Sequence, residues 1–336
     1  MSVWLPTSPC TPEACAGHEG DSASVPHAVL RLAAAIALIL LGILGAPPVR
    51  LLPAGPRHRV VRAWSTALVR AFGIRITVHG SPGPGGGRLL VANHISWLDI
   101  PLVAAALPCR MLAKSDIRTW PVLGRLAGRA GTLFIERDRI RALPATVEAM
   151  TGALLAGDRV TVFPEGSTWC GRAQGTFRRA AFQAALDARV PVQPLRLTYL
   201  RCDGGPAGAP AFVGDDPLTA SLWRIARARG VRAEVRLLPR IPPGRYAHRR
   251  DLAAAAQRAV VGAWTGPIGT GPIETGPIGT GPIETGPTDP NPLPGIPAQP
   301  ATPLATDKDS AKRPAVSVHH WVSSSPAAAS SLRTPS

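Results

Sequence analysis

Between residues 74 and 262, short apolar runs alternate with longer segments of helical period, and this alternation restricts the fold more than any other property. Residues 74–79 (IRITVH), 88–93 (RLLVAN), 110–113 (RMLA), 132–136 (TLFIE), 159–163 (RVTVF), 192–199 and 231–238 read as strands. Residues 98–107, part of 116–129, 142–155, 176–187, 218–229 and 248–263 read as helices. A chain of this kind forms an α/β domain in which helices cover a largely buried sheet. The domain is expected over residues 49–264.

The flanks differ in composition. Residues 1–27 are rich in Pro, Ser and Gly, lack an apolar period, and are expected to be a disordered tail. Residues 28–48 are expected to form a hydrophobic, membrane-associating helix. Its uncharged part, residues 32–46, would be about 22 Å long, short of a hydrocarbon core of about 30 Å. Including residues 28–30, with Arg31 snorkelling, allows a span of a thin bilayer; insertion into one leaflet and a buried core helix are the other readings. Arg50, Arg57, Arg59, Arg62 and Arg70 follow, which by the positive-inside rule places this flank and the domain after it on the cytoplasmic side of the cell membrane. Residues 265–284 repeat TGPI[GE] four times. Gly and Pro in every pentad oppose helix and sheet, so residues 265–288 read as a linker and 289–336 as a disordered tail.

Charge is concentrated in the middle. Residues 31–264 hold 33 bases and 13 acids, a net charge of +20, against +16 for the whole chain. Such a balance suits a polyanionic partner: nucleic acid, anionic headgroups or a phosphorylated small molecule. A basic nucleic-acid- or lipid-binding protein would account for the charge. A nucleic-acid binder would leave residues 32–46, the paucity of aromatics and the motifs below unexplained. The cysteines are Cys10, Cys15, Cys109, Cys170 and Cys202, an odd number without a CxxC pair. That opposes a disulfide framework and a zinc site. Cys10, Cys15 and His18 lie close in sequence, but their spacing matches no metal pattern.

Four segments carry chemistry. In NHISWLD (residues 93–99), a strand ends at Asn93 and a helix begins near residue 98. His94 and Asp99, five apart across that turn, suit an imidazole–carboxylate pair in which Asp99 fixes the tautomer. In VTVFPEGSTW (160–169), a strand runs into Pro164, Glu165, Gly166 and Ser167, a rigid exit followed by a sharp turn. In GTLFIERD (131–138), a strand delivers Arg137 to its carboxyl end, where a guanidinium suits a phosphate. RVPVQPL (189–195) leads into a strand and has little chemistry of its own.

In this order and spacing the segments resemble the glycerolipid acyltransferase family, specifically bacterial 1-acylglycerol-3-phosphate acyltransferases. The NHxxxxD motif falls on Asn93, His94 and Asp99, and G-x-x-F-I-x-R runs from Gly131 to Arg137. FPEG with a following hydroxyl runs from Phe163 to Ser167, and V-P-[VI]-x-P from Val190 to Pro194. Residues 113–127 also look like the family's stretch after its first motif, with Lys114 in place. The resemblance implies one acyltransferase domain with a mixed sheet covered by helices. It implies His94 as general base, Asp99 as its partner, and Lys114, Arg137, Glu165, Gly166 and Ser167 as substrate-binding residues. The donor would be acyl-CoA or acyl-carrier protein, the acceptor a lysophospholipid at a membrane lipid surface. Nucleic acid, cofactor and metal have no part in that chemistry. The product would be phosphatidic acid. One departure matters: the family commonly places Arg and Ser after its FPEGT, whereas Thr168 and Trp169 follow Ser167 here. Unless Arg172, Arg178 or Arg179 substitutes, a lysolipid such as lyso-ornithine lipid is the alternative acceptor.

Overall fold

The structure is a computed structural model describing residues 7–263, apart from Pro84, Pro121, Arg137 and Asp138. The expected linker, the C-terminal tail and Trp264 lie outside the described residues. In chain order the helices are α1 (Pro12–Cys15), α2 (Val25–Leu51), α3 (Ala54–Ala71), α4 (Asp99–Ala106), α5 (Leu123–Arg129), α6 (Leu143–Leu155), α7 (Ala180–Asp187), α8 (Leu218–Arg227) and α9 (Arg249–Gly262). The strands are β1 (Arg75–His79), β2 (Arg88–Ala92), β3 (Arg110–Lys114), β4 (Leu133–Ile135), β5 (Arg159–Val162), β6 (Val192–Leu200) and β7 (Arg232–Leu237).

The strands form one mixed sheet in the order β1-β7-β6-β2-β5-β3-β4. Only the β6–β7 pair among these is antiparallel, with Leu197 opposite Val235. Strand β2 is central and buried along its whole length. Its side chains alternate between faces, as a strand of period two requires. Leu90 and Ala92 join the apolar cluster beneath α2, α3, α4 and α8. Leu89 and Val91 join the cluster beneath α6, α7 and α9. A centre covered on both sides explains why β2 reads as an unbroken apolar run.

Three features differ from the sequence reading. First, the apolar helix is longer: α2 runs from Val25 to Leu51, through Pro47 and Pro48. At 27 residues it reaches about 40 Å, long and apolar enough to cross a membrane. Pro47 has no N–H to give the Ile43 carbonyl. Arg129 supplies a replacement, its Nη1 donating to that oxygen at 2.7 Å. Arg31 does not snorkel along the helix; its Nη1 donates to the carbonyls of Ala226 and Ala228, at 2.9 and 2.7 Å. It thereby caps the carboxyl end of α8, where positive charge is favoured. Second, α3 was not anticipated, because its Arg-rich face hides its apolar one. Trp64 of α3 donates to Leu38 of α2 at 2.8 Å and lies against Gly42. Third, residues 7–24 are ordered against the domain. The Ala23 amide donates to Arg227 at 2.7 Å, the Arg229 amide to Asp21 at 3.0 Å, and Cys10, Ala16 and Ala23 are buried. Small side chains let this segment lie close: a Cβ on Gly208 would come within 2.3 Å of the Gly17 carbonyl.

Candidate active site

Strand β2 ends at Ala92, and the next residue continues its pairing through a side chain. Asn93 donates to the Leu197 carbonyl at 3.0 Å and accepts from the Leu197 amide at 2.9 Å. The chain then turns and enters α4 at Asp99. The Asp99 carboxylate is fully buried and surrounded by donors. Oδ2 accepts from the amides of Ile95 (2.6 Å) and Ser96 (2.9 Å), and from Nδ1 of His94 (2.8 Å). Oδ1 accepts from the Tyr199 hydroxyl at 2.7 Å. Four donors around one carboxylate fix its position. Burial, with the neighbouring Asp99 charge, pushes the Tyr199 hydroxyl well above its ordinary value, so it remains a neutral donor. Donation from Nδ1 leaves the lone pair of the imidazole on Nε2.

A second loop holds His94 from outside the pair. Its ring stacks on Phe163, with centroids 4.1 Å apart and planes 12° from parallel. Its amide donates to Glu165 Oε2 at 2.8 Å, and its carbonyl accepts from the Trp169 amide at 2.7 Å. The turn between them needs Gly166 at φ +76°, a conformation that disfavours any side chain. His94 opens on a cavity of about 2150 Å³, whose wall includes Leu38, Trp64, Trp97, Ile100 and Leu222. Lys114, Gly166, Ser167 and Thr168 share that wall. Ser167 Oγ is buried and has no partner among the described residues.

The acyltransferase family model matches residues 75–198. The chain is 38% identical over 204 residues to the lyso-ornithine lipid O-acyltransferase of Pseudomonas aeruginosa, covering 61% of this chain and 78% of the relative. It is 36% identical over 181 residues to the 1-acyl-sn-glycerol-3-phosphate acyltransferase of Neisseria gonorrhoeae, covering 53% and 70%. The chain belongs to the acyltransferase family. It is an O-acyltransferase of the lysolipid type. The fold is shared with the crystal structure of the 1-acyl-sn-glycerophosphate acyltransferase PlsC from Thermotoga maritima. The TM-score is 0.53 at 18% identity, covering 70% of this chain and 93% of that one.

The structure distributes the sequence-predicted residues unevenly around this acyltransferase cavity. His94, Lys114, Gly166 and Ser167 lie on its wall, and Asp99 stands directly behind His94. Lys114 is ion-paired to Asp116 at 2.5 Å, both side chains being solvent-accessible. Arg137 lies outside the described residues. Glu165 is turned to the protein interior in this structure. It is buried away from the cavity wall, and its carboxyl accepts from the amides of His94 and Gly175 (3.2 Å). What Glu165 positions is therefore the backbone of His94. Arg172, Arg178 and Arg179 are exposed and lie off that wall, and Arg172 faces Glu19 at 3.9 Å. Sequence reasoning missed Tyr199 and the stacking role of Phe163. Spacing carries no signal for Tyr199, which reaches Asp99 from a strand a hundred residues away.

Burial raises the Glu165 carboxyl to about 8, against the pull of the His94 and Gly175 amides and the Arg196 charge. An unfolded chain ionises this group near pH 4.5. Between those values the native state binds more protons, so stability falls as pH rises from about 4.5 to about 8. Glu165→Gln should remove that contribution. Thermal unfolding of both proteins across this window is expected to show a smaller decline for the variant.

Proposed function

We propose that this acyltransferase moves a fatty acyl group from acyl-CoA or acyl-carrier protein to the free hydroxyl of 1-acylglycerol-3-phosphate, giving phosphatidic acid. The observation that carries the reading is the buried Asp99 oriented on His94 at 2.8 Å, with the imidazole opening on a largely apolar cavity. The acceptor hydroxyl hydrogen-bonds to Nε2 and attacks the thioester carbonyl as His94 takes its proton. Asp99 balances the imidazolium that forms. The carbon–sulfur bond breaks, and the imidazolium returns the proton to the departing thiolate. The partnerless Ser167 hydroxyl and the backbone of Gly166, which carries no side chain on the cavity wall, suit the glycerol moiety. Lys114 and Arg137 supply positive charge for the phosphate, Lys114 by exchanging its Asp116 partner.

Lyso-ornithine lipid is the second acceptor, favoured by Thr168 and Trp169 after Ser167 and by the removal of Arg172 to a contact with Glu19. The two readings are separated by assaying the purified full-length enzyme in mixed micelles with labelled acyl-CoA. The kcat/KM for 1-acylglycerol-3-phosphate is expected to exceed that for lyso-ornithine lipid by about tenfold or more. The reverse order transfers the assignment to the ornithine acceptor.

The acceptor is a lipid, so the cavity belongs near a bilayer surface. Helix α2, with Leu30, Leu40, Leu41 and Leu44 exposed, is placed to insert, leaving the domain on the cytoplasmic side. Detergent should therefore release the protein from membranes and about 1 M salt should not, since salt screens headgroup attraction alone. Fractionation after each wash checks this.

A further inference from the structure

The N-terminal segment brings two thiols onto a third. Thr11 caps α1 by accepting from the Ala14 amide at 3.4 Å, and Pro12 starts the turn. That single turn returns Cys15 toward Cys10. Cys170, next to the Trp169 amide that holds the His94 carbonyl, completes the group. The three sulfurs all lie within 4.8 Å of one another. Cys10 and Cys170 are buried and Cys15 is partly so. His18, adjacent in sequence, is not in the group; its Nε2 meets the Asp21 carbonyl at 2.8 Å.

We propose that Cys10, Cys15 and Cys170 bind a single thiophilic divalent cation, zinc by its chemistry, which ties the N-terminal segment to the loop after Ser167. Sulfurs about 2.3 Å from a tetrahedral zinc stand roughly 3.8 Å apart, so all three fit around one ion with little movement. A disulfide would join two of them and leave the third thiol unpaired. Hard cations prefer oxygen, so three sulfurs select a thiophilic ion. Cation binding displaces the protons of the thiols that ligate it.

The spacing of Cys10 and Cys15 alone resembles no metal pattern because the third ligand comes from the opposite half of the chain. The segment has a backbone path to its place without the ion. A Cβ on Gly214 would meet the Cys10 carbonyl at 3.3 Å, and one on Gly208 would meet the Cys15 carbonyl at 2.8 Å. The cation would thus lock a seat that already fits.

The test uses the full-length enzyme purified in detergent without chelator. Elemental analysis is expected to find one zinc per chain. Replacing zinc with Co²⁺ should give a sulfur-to-cobalt charge-transfer absorption, a readout that needs no substitution. Cys10→Ser, Cys15→Ser and Cys170→Ser should each lose the stoichiometric zinc and the absorption while circular dichroism reports the retained fold. Cys109→Ser and Cys202→Ser should keep both. The proposal is overturned by a wild-type protein that takes up neither zinc nor Co²⁺, by an intact mass two hydrogens low that reveals a disulfide, or by Cys170→Ser retaining the metal.

Discussion

His94→Ala is expected to lower kcat for acyl transfer by about 10²–10⁴-fold, the contribution of a positioned general base. The fold should survive. His94 lies on the cavity wall with 17% of its side chain exposed, and Asp99 keeps three of its four donors when the imidazole is removed. Circular dichroism of the purified variant should match the wild type, so lost turnover would report chemistry. The remaining activity would come from holding thioester and hydroxyl together in the cavity. A variant that folds and turns over normally would remove His94 from the mechanism.

Asp99→Asn should reduce kcat on a similar scale, about 10²–10⁴-fold, for a different reason. An amide can offer its oxygen to only part of the present donor set. Whichever way it turns, its NH₂ group opposes either Tyr199 or the donors at Oδ2. If the NH₂ faces Nδ1, the imidazole proton is driven to Nε2 and the base is lost. The buried mismatch should also cost stability, on the order of 1–3 kcal/mol. Thermal unfolding measured beside kinetics separates the two effects. The expected pattern is a lowered Tm together with a loss of rate that persists well below the transition. Tyr199→Phe removes one donor to the same carboxylate and leaves the tautomer in place, which predicts a smaller loss of rate.

The sheet was readable because its strands are apolar and bounded by glycine and proline. Strand β2, buried along its length, was expected at residues 88–93 and is found at Arg88–Ala92. The pairing of His94 with Asp99 was readable because a strand-to-helix turn brings residues five apart together. The surroundings of that pair were not. Tyr199 and Glu165 reach it through sheet order, β2 lying between β6 and β5, and adjacency in a sheet leaves no mark on linear spacing. The direction of the Glu165 carboxyl was not legible, because a loop at a sheet edge does not show which way its side chain turns. Here it faces inward onto two amides. The segment 7–24 was read as a tail because its own sequence has no apolar period. Its order comes from small residues and from two cysteines that meet Cys170, supplied by the domain. Helix α2, expected over residues 28–48, extends three residues further at each end, and Arg31 and Pro47 within it interrupt its apolar run. Both have their polar consequences met by distant residues, the α8 carbonyls and Arg129.

The most direct test of the account follows the labelled acyl group itself. Full-length enzyme is incubated with labelled acyl-CoA, with and without 1-acylglycerol-3-phosphate, and lipids and protein are separated at intervals. Transfer through His94 predicts label in phosphatidic acid only when acceptor is present, none held covalently on the protein, and none of this product from His94→Ala. Label released as free fatty acid regardless of acceptor, or phosphatidic acid formed equally by His94→Ala, would contradict it.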